Sequence, residues 1–313
     1  MSFDSSRSCL QENDNALALP LMQRMKLSDW MALTKLRLSV MSVITAIFGY
    51  LSAPSAVQYP EWLVLILATA FSATGAAVLN QWMERDHDAK MKRTQDRPLP
   101  SGILSPNEAW WIGLGLSTVG VFLLLASSYY LASALLLATL LLYLLVYTPM
   151  KRKSHWNTLV GAIPGALPPL IGWTVAEQNI GIIAVVLFGI LFLWQMPHFM
   201  SISWIHREDY AKAGFCMLSR WDPSGARVAM HSVVFTLAMT FTAALPVFTG
   251  HAGTLYAYPC ALLHFVMLFL AWRFLTSENK LQPAKHLFFA TLIYLPIYYT
   301  ALIAGLHFQP LLA

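Results

Sequence analysis

Nine apolar stretches divide this chain, and its lysines and arginines fall at or beyond their ends, on what a consistent count makes one side. The stretches lie at about 38–56, 61–82, 108–127, 130–148, 158–176, 180–203, 228–249, 255–275 and 286–305. Most approach the roughly 20 residues that a helix needs to cross the hydrocarbon core of a bilayer. No water is available there to pair with the backbone, so each stretch is predicted to be helical. Charged residues make up 11% of the chain, against about 25% in a soluble domain. The predicted fold class is an all-α integral membrane protein, a bundle of nine transmembrane helices in the lipid bilayer.

The loop charges test this division. With the N-terminus in the cytoplasm, Lys and Arg fall before span one and in the loops between spans two and three, four and five, six and seven, and eight and nine. These places hold all 20 Lys and Arg of the chain. The positive-inside rule then puts the N-terminus in the cytoplasm and the C-terminus outside. It also accounts for the net charge of +5, so no nucleic-acid partner is expected. Cys9, Cys216 and Cys260 are widely spaced and show no C-x-x-C, and are predicted to be free thiols. Residues 1–30 are polar and mixed, without the basic start and apolar core of a signal peptide. They are predicted to be a disordered cytoplasmic tail, with an interfacial segment around Leu27 to Leu38. Residues 31–313 are predicted to form a single nine-helix domain.

Two inner loops, 83–107 and 204–227, are long and rich in both signs of charge. Long connections in compact structures are usually functional, so chemistry is expected on this face. Asn80, Glu84 and Asp88 are spaced i, i+4, i+8, which puts them on one helical face as a column of oxygen donors. Two carboxylates so placed repel unless a cation lies between them. Oxygen-only donors suit Mg²⁺, which commonly takes one or two carboxylates together with substrate phosphates. An acidic pair at a helix end is more often merely solvated. The adjoining Arg93 and Arg97 shift the balance, because arginine can bind a diphosphate bidentately. Lys151 and Arg152 would complete the clamp. In the second loop, Glu208 and Asp209 could bring further acid toward the metal, with Lys212 beside them; Gln195 and His198 lie near the end of span six. In span five, Gly161 and Gly165 suit close packing. Pro164, Pro168 and Pro169 are predicted to bend or break the helix, as a cavity wall or as plain packing.

The pattern N-x-x-x-E-x-x-x-D…R-T-x-x-R-P-L-P-S-G resembles the first Asp-rich motif of the UbiA-type intramembrane prenyltransferases. Together with Y-T-P-M-K-R, G-A-I-P-G-A-L-P-P-L-I-G-W and W-Q-M-P-H-F…R-E-D-Y-A-K-A-G, it is similar to their protoheme IX farnesyltransferase (haem O synthase) branch. The resemblance runs from about Leu33 to the last helix. It implies a nine-helix bundle whose central cavity opens to the cytoplasmic side, and Mg²⁺ as cofactor. It implies farnesyl diphosphate and haem B as substrates and haem O as product. A bacterial inner membrane is the implied location, and a haem A synthase an implied partner. Carried over by position, Asn80, Glu84, Asp88 and Asp209 are the implied metal and catalytic residues. Arg93, Arg97, Lys151, Arg152 and Lys212 are the implied diphosphate-binding cations. The quinone-precursor members have a denser second acidic motif. Here Gln195, His198 and His206 stand in that region, and His198 and His206 are candidate ligands for haem iron.

Two alternatives stay open at this point. One is a prenyltransferase for another aromatic or tetrapyrrole acceptor. The other is a haem transporter without catalysis, although transporters place ionisable groups at mid-membrane, and here they crowd the rim.

Overall fold

The computed structural model describes residues 25–55, 59–91, 94–151, 153–154, 156–212, 214 and 217–308. They form α1 (Leu27–Leu33), α2 (Leu36–Leu51), α3 (Tyr59–Asp88), α4 (Pro106–Ala126), α5 (Tyr130–Met150), α6 (Asn157–Glu177), α7 (Ile182–Ile205), the short α8 (Arg207–Lys212), α9 (Ala226–Phe248), α10 (Thr254–Thr276) and α11 (Leu281–His307). Among the described residues, eight helices are each long and apolar enough to cross a membrane; α1 and α2, bent by 57° at their junction, make a ninth when counted as one span. This is a multi-pass membrane protein. The predicted stretches match these helices to within a few residues. The predicted tail falls mostly on residues 1–24, which lie outside the described residues, and α1 begins at Leu27.

Neighbouring helices arrange the bundle as two linked groups. α2 packs on α3, α3 on α4, α4 on α5, and α5 and α2 both pack on α6. α7 packs on α6, on α9 and on α11, and α10 bridges α9 and α11. α6 therefore stands between the two groups, and 67% of its most apolar stretch is buried, against 28% for α4.

Small residues let these helices approach. A Cβ on Gly49 would lie 1.9 Å from the Pro169 carbonyl oxygen, and one on Gly172 would lie 1.8 Å from that of Ala46. α2 and α6 thus touch backbone to backbone, the close packing expected where lipid removes the hydrophobic drive for association. The three prolines do not break the helix: α6 runs as one α-helix through Pro164, Pro168 and Pro169, all three buried. The surrounding helices enclose it, and the Gln195 side chain adds a donor to the Ala162 carbonyl (3.0 Å).

Candidate active site

α3 overruns its apolar length by about two turns, and this extension carries the column. Asn80, Glu84 and Asp88 are 0%, 8% and 2% exposed, so they do not form a solvated helix end. Buried carboxylates need partners, and each column member has a cation from a different segment. Lys35 Nζ donates to Asn80 Oδ1. Lys151 Nζ donates to Glu84 Oε1 at 3.0 Å. Arg97 Nη1 donates to Asp88 Oδ2 at 2.6 Å.

Each cation is positioned by local structure. Lys35 forms the elbow between α1 and α2, with φ 45° and ψ 49°. This left-handed conformation costs a non-glycine residue about 1 kcal/mol or more and persists only where its surroundings enforce it. Gln81 supplies part of that enforcement: its Nε2 donates to the Ala32 carbonyl (3.0 Å) and the Leu33 carbonyl (2.7 Å). These are carbonyls at the end of α1, where the helix leaves acceptors without internal partners. Arg97 belongs to the R-T-x-x-R-P-L-P-S-G loop. Thr94 Oγ1 closes the end of α3 on the Asp88 carbonyl (2.9 Å). Leu104 N bonds back to the Pro98 carbonyl (2.9 Å), and Gly102 takes φ 76°. Leu99 and Leu104 share an apolar cluster with Met25, Leu33, Val78 and Ala109. One small core thus underlies both the elbow and the loop. Ser105 then caps α4, its hydroxyl accepting from Glu108 N while the Glu108 carboxylate accepts from Ser105 N.

Lys151 follows a π-helical stretch, Leu142–Tyr147, at the end of α5. Such stretches are uncommon and concentrate at functional sites. This one directs Thr148 Oγ1 to the Tyr143 carbonyl (2.8 Å), where it accepts from Asn80 Nδ2 (3.1 Å). It also seats Tyr147 beneath the Lys151 ammonium, 4.8 Å from the ring centre. The Tyr147 ring fills the space a Cβ on Gly161 would need, and Gln195 fills that of Gly165. Gly161 and Gly165 therefore admit one polar side chain from each group of helices.

Burial acts against charge on Lys151, but Tyr147, Tyr143 and the hydrogen-bonded Glu84 outweigh it, and its pKa is raised.

The second loop is built differently. Asp209 and His206 are exposed, and their only mutual contact is 3.9 Å between His206 Nδ1 and Asp209 Oδ2. Among the described residues, no hydrogen bond or ion pair joins either to the column, and no three His, Cys, Asp or Glu side chains cluster closely enough to hold a metal. Lys212 ends α8; Arg93 and Arg152 lie outside the described residues. His198 is half-buried on α7, its Nδ1 2.8 Å from Thr291 Oγ1 of α11. The column itself has the donor chemistry of a hard-cation site, two carboxylates and an amide oxygen. Lys35, Gln81 and Thr148 are the site residues that sequence reasoning missed. For Lys35 the one available signal was a lysine placed directly before the first apolar run.

Comparison with known proteins agrees with this architecture. The model of the UbiA prenyltransferase family matches residues 42–293. The chain is 42% identical over 278 residues to a protoheme IX farnesyltransferase of Opitutus terrae, covering 89% of this chain and 94% of that one. It is 40% identical to the corresponding protein of Myxococcus xanthus, covering 88% and 93%. Among solved structures, a digeranylgeranylglyceryl phosphate synthase shares the fold with a TM-score of 0.78 at 20% identity, over 90% of this chain and 99% of the other. A UbiA homologue from Archaeoglobus fulgidus bound to GPP and Mg²⁺ does so with a TM-score of 0.60 at 14% identity, over 88% and 99%. With a family match over most of its length and relatives this similar, the chain belongs to the UbiA prenyltransferase family.

Proposed function

We propose that this chain transfers the farnesyl group of farnesyl diphosphate to a vinyl group of haem B, giving haem O and diphosphate. The observation that carries the reading is the column, Asn80–Glu84–Asp88, met by three cations from three separate segments in a chain 42% identical to a protoheme IX farnesyltransferase.

The chemistry follows from the charges. Breaking the allylic C–O bond leaves its electron pair on the diphosphate, so the barrier falls where positive charge is already organised around the leaving group. Arg97, Lys151 and Lys35 supply such charge, with Arg93, Arg152 and Lys212 as further candidates. Lys151 and Arg97 now neutralise Glu84 and Asp88; an entering diphosphate offers them a second anion. Asn80, Glu84 and Asp88, with Asp209 from the second loop, are the residues we assign to Mg²⁺. Bound there, the ion would neutralise diphosphate charge as a Lewis acid. The apolar interior keeps water from the farnesyl cation. The vinyl carbon of haem B attacks that cation, and water captures the resulting porphyrin-side cation with loss of a proton.

His198 is our first candidate ligand for the haem iron and His206 the second. Among the described residues no Asp, Glu, Lys or Arg lies mid-span, and the lysines and arginines gather at one end of the bundle, which favours transfer chemistry over transport. We assign the column end to the cytoplasmic face of a bacterial inner membrane and the C-terminus to the opposite face. A reporter fused after Ala313 that is active in the cytoplasm would contradict this. Contact with a haem A synthase, which would take the product, is tested by co-purification of the two proteins. Mass spectrometry of haems from cells with and without this chain tests the function itself: haem O should appear only with it. Unchanged haem content would argue against the assignment.

A further inference from the structure

Thr291 of α11 grips two aromatic side chains of α7 at once. Its backbone carbonyl accepts from the indole Nε1 of Trp194 at 2.9 Å. Its hydroxyl lies 2.8 Å from Nδ1 of His198. Trp194 and His198 are one helical turn apart and stack, with ring centres 4.7 Å apart and planes inclined by 19°. Phe288 and Phe199 close two more sides of the imidazole, at 5.2 and 5.6 Å. Thr291 itself is 0% exposed.

The hydrogen bonds define the tautomer. The Thr291 hydroxyl has one proton, and it goes to the Phe288 carbonyl at 2.5 Å. A carbonyl oxygen only accepts, so the hydroxyl is the donor of that pair. Thr291 Oγ1 is then an acceptor toward His198, so Nδ1 carries the imidazole proton. Nε2 is left with its lone pair in the ring plane, and it has no hydrogen-bond partner among the described residues. A neutral imidazole whose second nitrogen donates to an oxygen is the arrangement in which histidine ligates metals: the outer hydrogen bond selects the tautomer, orients the ring and raises its basicity. The aromatic wall alongside suits a flat, apolar macrocycle.

We propose that His198 binds the iron of a haem substrate through Nε2, and that Thr291 is the positioning residue that makes this nitrogen the available one. The assignment rests on the proposed haem-farnesylating function for its ligand. It adds the ligating atom, the residue that sets it, and the contribution of α11 to acceptor binding.

The test is a titration of the purified full chain in detergent with ferric haem B, followed by Soret absorbance and electron paramagnetic resonance. Wild type should bind with the signature of axial imidazole. His198→Ala should lose that signature and recover it on addition of free imidazole. Thr291→Val, which keeps the volume and removes the hydroxyl, should weaken haem B binding about 10-fold or more, the usual cost of losing a metal ligand's outer partner. It should also alter the axial signature. Thr291→Ser should restore both. Unchanged farnesyl diphosphate binding in all variants would show that they fold. If Thr291→Val binds haem B with wild-type affinity and spectrum while His198→Ala does not, the role of Thr291 is refuted and His198 stands. If His198→Ala gives the wild-type spectrum, the iron assignment is refuted. If wild type does not bind haem B at all, the functional reading beneath both fails.

Discussion

Lys35, the residue on which the chain turns between α1 and α2, donates from Nζ to the Asn80 side chain 45 residues away. The bond ties a backbone elbow to the column of oxygen donors on α3. It separates two properties of one residue: a left-handed backbone, which glycine adopts without cost, and an ammonium, which glycine lacks. Lys35→Gly should therefore leave the melting temperature little changed, the relieved backbone strain offsetting the donor lost to the buried Asn80 oxygen, while weakening farnesyl diphosphate binding about 10-fold or more. Thermal melts and a binding isotherm on the same preparation would check this. A variant that binds normally would remove Lys35 from the site.

Gln81 should behave in the opposite way. It contacts no column oxygen, but satisfies the carbonyls of Ala32 and Leu33 at the elbow. Gln81→Leu removes the side-chain donor from the Leu33 carbonyl and leaves the Ala32 carbonyl only the Lys35 backbone N–H, at about 1–3 kcal/mol. We expect a lowered melting temperature, with substrate affinity falling only as far as Lys35 is displaced.

Glycines of similar sequence context should differ sharply. Gly172→Ala would drive a methyl into the Ala46 carbonyl 1.8 Å away, whereas a Cβ on Gly115 meets nothing within 4 Å. The first should cost about 3 kcal/mol and yield little folded protein. Gly115→Ala should be neutral. Size-exclusion profiles in detergent distinguish the two.

Much of this was legible in the sequence because the bilayer leaves few options. Spans must be helical and long, and their ends carry the charge, so the helices and the Asn80–Glu84–Asp88 spacing could be read locally. Arg97 was legible for the same reason, lying nine residues from its partner Asp88. Lys35 was counted only as a loop charge, because its partnership with Asn80 depends on an elbow that no periodicity announces. Thr148 and Tyr147 were hidden by the π-helical stretch, which shifts the register at the end of α5 without any distinctive residue. Thr291 pairs with His198 across 93 residues, a relation set wholly by how α7 and α11 pack. For the three prolines of α6 the local rule predicts a bend or break, and the enclosed helix stays unbroken.

Metal dependence is tested by removal. Chelation of divalent cations should abolish turnover without unfolding the protein, since Lys35, Lys151 and Arg97 already balance the buried column. Added Mg²⁺ should restore activity. Full activity in excess chelator would contradict the assignment of Asn80, Glu84 and Asp88 to a metal.

The most direct measurement incubates purified protein with farnesyl diphosphate, haem B and Mg²⁺, and follows the porphyrin products by mass spectrometry, with Asp88→Ala alongside. The account predicts haem O from the wild type and none from Asp88→Ala, which should still insert and purify. Unchanged haem B with the wild type, or haem O at the wild-type rate from Asp88→Ala, would contradict it.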